Sequence, residues 1–277
     1  MRRETFTVSG PVALVVRAPA GAVEIEAAEV SEAIVELEAL RDGAESAVEG
    51  ATVELRGGSE HPELLVDIQH GLRFGGRRGP KVSIFLGRGP SIRVGVRVPV
   101  GSSVEVVTDA ADVAGTGMFR RADVKSAAGN VRFDDIDGDV SIKCVSGDVT
   151  IGSVGGETNV KSVSGDATIG RVVGPAALHS VSGDIEVREG DASISVNTIS
   201  GDVRIGSAAQ GEVALHSVSG DLTLGLRSGS KLWVDARSTS GKTTSEFALG
   251  DEPSSNGGPL VELRAKSVSG DIRVVRA

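Results

Sequence analysis

The phrase Ser-Gly-Asp occurs six times in the second half of the chain, and a regular row of carboxylates could bind metal ions. The pairs are Gly147-Asp148, Gly165-Asp166, Gly183-Asp184, Gly201-Asp202, Gly220-Asp221 and Gly270-Asp271. Calcium takes about six to eight oxygen ligands, and calcium-binding β-rolls supply them from short, glycine-rich repeats. Here successive Asp residues are at least 18 positions apart. We therefore interpret the pairs as a structural row of turns, with a calcium site as the alternative.

A second row of chemistry-bearing residues stands four positions before each repeated glycine. Its members are Lys125, Lys143, Lys161, His179, Asn197, His216, Arg237 and Lys266. Two like charges about 4.8 Å apart repel by roughly 1 kcal/mol in water, so neighbouring aspartates need an offset. We expect this mostly basic row to provide part of it. We also expect the serines on either side of the repeated Val to hydrogen-bond the neighbouring repeat.

Residues of the kinds that enzymes use do not form a catalytic pattern. The segment Ser240–Thr244 resembles the end of a phosphate-binding loop, but Ala236 replaces the required glycine and no helix follows. His179 and His216 are two repeats apart, about 10 Å if stacked, which is too far for one zinc ion. Cys144 replaces a repeat serine, and we expect it to be buried. We predict a non-enzymatic protein with no catalytic, cofactor or metal residues.

A glycine-rich segment at 69–81 carries the strongest local positive charge. We interpret the segment as a surface loop, and the alternative is that Arg73, Arg77, Arg78 and Lys81 form a candidate interaction loop for an acidic partner. Nucleic acid is not expected as a partner, because the segment lacks interleaved aromatic residues. The formal charge of −9 and the pI of about 5.1 also argue against it.

The glycine row sets the period of the fold. Glycines from Gly129 to Gly201 recur every 18 residues, and a fixed period of this kind is typical of stacked-coil proteins. In most copies apolar residues stand two and four positions after the glycine and five and seven before it, and a Val or Ile stands two before it. Such alternation predicts short strands with one face inside. The fold class is therefore all-β, a parallel β-solenoid of two-strand coils with an irregular β N-terminal part.

The sequence also indicates how the chain is divided. We expect residues 1–106 to form the irregular part, continuous with the solenoid, and residues 107–277 to form the regular coils. A loop insertion at 246–259 interrupts the last coil, and the copy at Ser267–Val274 is expected to close the stack. Trp233 is expected to cap the end of the core. One helical turn is expected within 42–49.

Targeting signals are not recognisable in the sequence. The chain lacks a basic-plus-apolar leader and any run of about 18 apolar residues. We therefore expect a cytoplasmic protein without a membrane span. A single cysteine excludes an internal disulfide framework.

The repeated phrase, as at 162–166 and 180–184, the entry phrase at 97–106 and the closing phrase at 267–272 together resemble the bacterial putative-adhesin family. This is a β-strand-repeat domain of unknown function, and the resemblance covers residues 10–275. It implies a parallel β-solenoid without known catalysis, and some relatives are linked to the cell envelope.

The function expected from these observations is a scaffold or protein-interaction module whose partner the sequence does not identify. Self-association through open solenoid ends is a further expectation. The alternatives are a calcium- or surface-binding adhesin and a polysaccharide-acting β-helix enzyme. The enzyme would need a groove lined by carboxylates and aromatics, yet Tyr is absent and Trp233 stands alone.

Overall fold

The computed structural model describes residues 1–58, 62–68, 72–74, 82–84, 90–247 and 258–277, with the backbone alone for 72–74 and 82–84. The described chain is all-β apart from one short helix. It divides into two compact units. Unit 1 comprises Met1–Phe119 and Asp123–Asn130, and unit 2 comprises Arg120–Ala122 and Val131–Ala277. The division that we placed at residue 106 remains a prediction.

Unit 1 is the irregular part. Its elements are β1 (Arg2–Thr7), β2 (Ala13–Ala28), β3 (Glu32–Ala39), α1 (Glu45–Glu49), β4 (Thr52–Arg56), β5 (Glu63–Asp67), β6 (Leu72–Phe74), β7 (Val82–Ile84), β8 (Ser91–Pro99) and β9 (Ser103–Phe119). Strand β2 pairs in parallel with β5, β8 and β9. Antiparallel pairs join β1 to β3, β3 to β8 and β4 to β5. This mixture distinguishes unit 1 from a regular solenoid.

Unit 2 is a parallel β-solenoid, as the repeat predicts. Strand β10 (Arg121–Ala128) contains residues of both units. The strands that follow are β11 (Val131–Ile136), β12 (Val140–Ser146), β13 (Val149–Val154), β14 (Thr158–Ser164), β15 (Ala167–Val172), β16 (Ala176–Ser182), β17 (Ile185–Gly190), β18 (Ile194–Ser200), β19 (Val203–Ala208), β20 (Gly211–Ser219), β21 (Leu222–Leu226), β22 (Lys231–Ser238), β23 (Thr243–Ser245), β24 (Leu260–Ser269) and β25 (Ile272–Arg276).

These strands stack into two parallel ladders. Ladder A consists, in spatial order, of β12, β14, β16, β18, β20, β24 and β22. Ladder B consists of β11, β13, β15, β17, β19, β21, β25 and β23. Successive strands of the chain alternate between the ladders, so each coil contributes one strand to each.

The core forms because inward positions repeat from coil to coil. In ladder A, Ile142, Val160 and Leu178 are register neighbours and all are buried. In ladder B, Ile151 and Ile169 stack in the same way. Burial of each such side chain stabilises the fold by roughly 1.5–3 kcal/mol. One coil alone could not bury both of its own faces, so several coils must stack together.

The order of the last coils differs from the order of the sequence. Strand β24 pairs with β20 on one side and with β22 on the other, and β25 lies in the same way between β21 and β23. The prediction that Ser267–Val274 closes the stack is therefore wrong. The terminal copy is inserted between two earlier coils. The shorter strands β22 and β23 then take the open end in place of the longer β24 and β25, which leaves fewer backbone groups unpaired there.

None of the helices in the described ranges is long and apolar enough to cross a membrane.

Candidate interaction surface

The Ser-Gly-Asp phrase forms the corner between ladder A and ladder B. All six glycines named above have positive φ angles, from +116° at Gly147 to +149° at Gly270. At Gly183, with φ +132°, an added Cβ would lie 2.3 Å from the carbonyl oxygen of Gly165. The corner thus requires glycine for backbone conformation and for the close approach of the coil before it.

The aspartates of the corner bind backbone amides of the next coil. The amides of Asp184 and Asp202 donate to Oδ1 of Asp166 and Asp184, each at 2.8 Å. The same bond joins the other members, and we call the set the acidic row: Asp148, Asp166, Asp184, Asp202, Asp221 and Asp271. The last bond goes from the Lys242 amide to Asp271, and this bond above all lowers the pKa of the Asp271 carboxyl. Charge–amide bonds therefore stabilise the carboxylates.

The basic residues also form a row, on the outside of ladder A. Lys143 and Lys161 are register neighbours, and His216 is followed by Lys266 and then Arg237. We call Lys143, Lys161, His179, Asn197, His216, Lys266 and Arg237 the cationic row. Among the described residues no ion pair joins this row to the acidic row, and Arg237 pairs with Asp235 instead. The charge compensation that we expected is thus not made by contact.

A row of exposed aliphatic side chains runs beside the cationic row. Its members are Val145, Val163, Val181, Ile199, Val218 and Val268, which are 42–52% exposed. They are six of the twelve exposed large apolar residues in the described chain, and clustering of this kind marks interaction sites. We call this set the aliphatic row, and the two rows together the cation–aliphatic face.

Sequence reasoning missed the exposure of the aliphatic row. The signal was present in the spacing: a residue two positions before the glycine is out of phase with residues five and seven before it. In a strand with a period of two, these sets point to opposite faces. Val181 is therefore exposed, whereas Leu178 is fully buried.

The residue between the two rows points inward. Ser162, Ser180, Ser217 and Ser267 are buried, and their hydroxyl oxygens have no hydrogen-bond partner among the described residues. The expectation that these serines bond the neighbouring coil is therefore wrong. Cys144 occupies the equivalent position, as its register with Ser162 requires, and it is buried. Burial raises the pKa of its thiol, which disfavours the reactive thiolate.

A groove of about 480 Å³ lies at the C-terminal end of the cation–aliphatic face. Its lining includes His216, Val218, Arg237, Lys266 and Val268. The groove is therefore formed by the outer side chains of three neighbouring strands, β20, β24 and β22.

Trp233 does not cap the core. It is 46% exposed and lies in register with Glu262, whose side chain also faces outward from ladder A.

A cluster of ions joins three coils on the side of unit 2 away from the glycine corner. Asp191 accepts hydrogen bonds from Arg171 at 2.6 Å and from Arg227 at 2.7 Å. The bond from Arg171, followed by that from Arg227, keeps the pKa of the Asp191 carboxyl below its usual value. This network is a structural clamp, since its charges satisfy one another.

The other candidate sites considered from the sequence have less support in the described structure. Arg73 lies in β6 but only its backbone is described, and Arg77, Arg78 and Lys81 lie outside the described residues. Within the described ranges, no group of three or more His, Cys, Asp or Glu side chains could hold a metal ion.

A depression of about 580 Å³ in unit 1 is lined by Arg3, Glu26, Glu36 and Arg97, but these charges pair with one another.

Comparison with solved structures yields distant likenesses. A putative adhesin from Bacteroides fragilis is 14% identical, with 99% of this chain and 96% of that chain covered and a TM-score of 0.45. A putative lipid binding protein from Parabacteroides distasonis is also 14% identical, with the same coverage and a TM-score of 0.46. We infer nothing about function from them. No functionally curated protein matches the chain.

Comparison with models of protein families identifies the family. The model of the Toastrack DUF4097 family matches residues 100–275, which is more than half of the chain and includes most of the coils described above. The chain therefore belongs to the Toastrack DUF4097 family.

Proposed function

We propose that the protein is a non-enzymatic scaffold that binds another protein through the cation–aliphatic face. The single observation that carries this proposal is the aliphatic row, six Val and Ile side chains about half exposed in one line. Leaving a β-branched side chain in water forgoes roughly 1 kcal/mol or more of burial. A partner that covers the row recovers this free energy along the whole line.

The test is site-specific photocrosslinking in cells. A photoreactive amino acid at position 181 should give protein adducts, and the same residue at position 150 serves as the control, because Thr150 is exposed on ladder B. Equal yields at both positions, or none at either, would contradict the proposal.

The alternative of a calcium- or surface-binding adhesin predicts a different result. Calcium should raise the thermal midpoint and a chelator should lower it, since a ligand that binds only the native state stabilises it. An unchanged midpoint favours the scaffold.

A further inference from the structure

We propose that the partner of the cation–aliphatic face is a second copy of this chain, bound through a two-fold axis parallel to the solenoid. This inference rests on the function proposed above and names the partner of the same surface. It is argued from the order of the rows, the spacing of the coils and the charges.

The order of the rows is self-complementary. Along strand β14 of ladder A the outward positions read Lys161, then Val163, then the corner with Asp166, and the other strands repeat this order with Lys, His, Asn or Arg at the first position. A two-fold axis along the stacking direction, above the aliphatic row, reverses this order in the second copy. Aliphatic then meets aliphatic, and each cationic row faces the acidic row of the other copy. Such an isologous contact is the commonest arrangement in homodimers.

The axis also keeps every coil level with its equivalent. Lys161 of one copy then faces Asp166 of the other, whereas Asp221 and Asp271 already pair with Arg273 of their own chain. One oxygen of Asp166 accepts the Asp184 amide, and the exposed carboxylate still carries its charge. The cations of the row are available, because Lys143, Lys161 and Lys266 form no ion pair with the described residues.

The spacing argues against an extended peptide as the occupant. Rows on the solenoid repeat about every 4.8 Å, whereas same-side residues of an extended strand repeat about every 6.8 Å. A peptide laid along the row would lose register within two or three residues. A second solenoid has the same repeat and matches at all six aliphatic positions.

Charge argues against an anionic membrane. The acidic row flanks the aliphatic row on the side opposite the cations, and the whole chain has a formal charge of −9. An anionic surface large enough to cover the face would meet both rows. The second copy meets the acidic row with lysines instead.

The size of the face predicts a weak dimer. Six coils span about 24 Å and the rows about 20 Å, so the contact buries roughly 1,000 Å² in total, the lower end of specific interfaces. We expect a dissociation constant on the order of micromolar.

The experiment is sedimentation velocity over a wide range of protein concentration. The wild-type chain should convert from monomer to dimer. The double substitution Val181→Lys with Ile199→Lys should weaken association by roughly tenfold or more, because it places charge in the centre of the contact. Thr150→Lys, on ladder B, is the matched control. A wild-type chain that stays monomeric, or a double variant that still dimerises, would overturn the proposal.

A charge-swap pair gives the sharpest test and does not depend on a loss of binding alone. Lys161→Glu places like charges opposite Asp166, and Asp166→Lys places like charges opposite Lys161, so each variant alone should be monomeric. Mixed together, the two variants form opposite-charge pairs at both symmetry-related positions and should dimerise. Circular dichroism confirms that each variant is folded. Failure of the mixture to associate contradicts the two-fold arrangement.

The outcome also separates this inference from the proposed function. Crosslinks from position 181 to a different protein, with no dimer in solution, would support the scaffold and refute the second copy. Binding to phosphatidylglycerol vesicles that increases with the added lysines, again without a dimer, would identify a membrane surface and refute both.

Discussion

The two outer faces of the solenoid differ, although the same repeat produces both. On ladder B the outward positions hold Thr150, Thr168, Glu186, Arg204 and Thr223, a mixed polar line of register neighbours. On ladder A the corresponding line holds the aliphatic row beside the cationic row. The inward positions of ladder B are apolar, whereas one inward position of ladder A holds the buried serines. The outer Val and Ile residues of ladder A face water and add nothing to this core, and binding is the simplest physical reason for them.

The largest loss of stability is expected at the glycine corner that joins the two ladders. Gly183→Ala should lower the free energy of unfolding by about 3 kcal/mol or more, because strained φ and forced backbone shifts each cost roughly 1–3 kcal/mol. Chemical denaturation measures the loss. Ser182→Ala, at the exposed neighbouring position, is the control and should change stability little. An equal effect of the two substitutions would contradict the role assigned to the corner.

The next largest difference in stability is expected between an inward and an outward position of the same strand. Leu178→Ala should cost about 2–5 kcal/mol, since it leaves a cavity in the core. Val181→Ala, three residues along the same strand, should change the free energy of unfolding by less than about 0.5 kcal/mol. Denaturant midpoints compare the two variants. Similar losses would mean that the aliphatic row stabilises the monomer.

The Asp191 cluster provides a pH-dependent test on the side away from the glycine corner. Asp191→Asn should cost about 1 kcal/mol at neutral pH, a modest value because Arg171 and Arg227 are partly exposed. The folded pKa of Asp191 is depressed, so its contribution is complete above the unfolded pKa of about 3.9 and is lost as pH falls through the lower folded value. Unfolding measured from neutral to acidic pH should show the two proteins converging. Glu186→Gln, on the same coil but outside the cluster, is the control, and a gap that persists in acid contradicts the assignment.

The smallest effect concerns the buried hydroxyls of ladder A. Ser180→Ala should stabilise the protein by up to about 1 kcal/mol, because a buried hydroxyl without a partner costs free energy. Ser182→Ala, two positions away and exposed, should be neutral. Thermal midpoints are sensitive enough to detect the difference. Destabilisation by Ser180→Ala would indicate a hydrogen bond that holds the coil.

Much of the fold could be predicted because its signals are local. Glycine at the corner and the alternation on either side of it require no knowledge of distant residues, so the coil, its two strands and the inward positions follow from the repeat. The short helix α1 lies within the predicted turn at 42–49. The mixed pairing of unit 1 could not be predicted, because its strands lack a period that would identify their partners.

The surface was predicted less well. The cationic row was recognised in sequence, but it was assigned to the acidic row of the same corner. Whether Lys161 reaches Asp166 depends on side-chain direction and on the competing amide of Asp184, which the sequence does not give. The basic residues at 73–81 remain a prediction.

The sequence by itself determined the repeating coil of unit 2, because backbone strain at glycine and a two-residue alternation are encoded within each 18-residue repeat. Only the tertiary structure decided the order in which the last coils stack. The terminal copy at 260–276 lies between coils that precede it in the chain. Similar strand edges can pair in either order, and this order leaves the shorter strands β22 and β23 at the open end. The tertiary structure also decided that the valine of each phrase faces water.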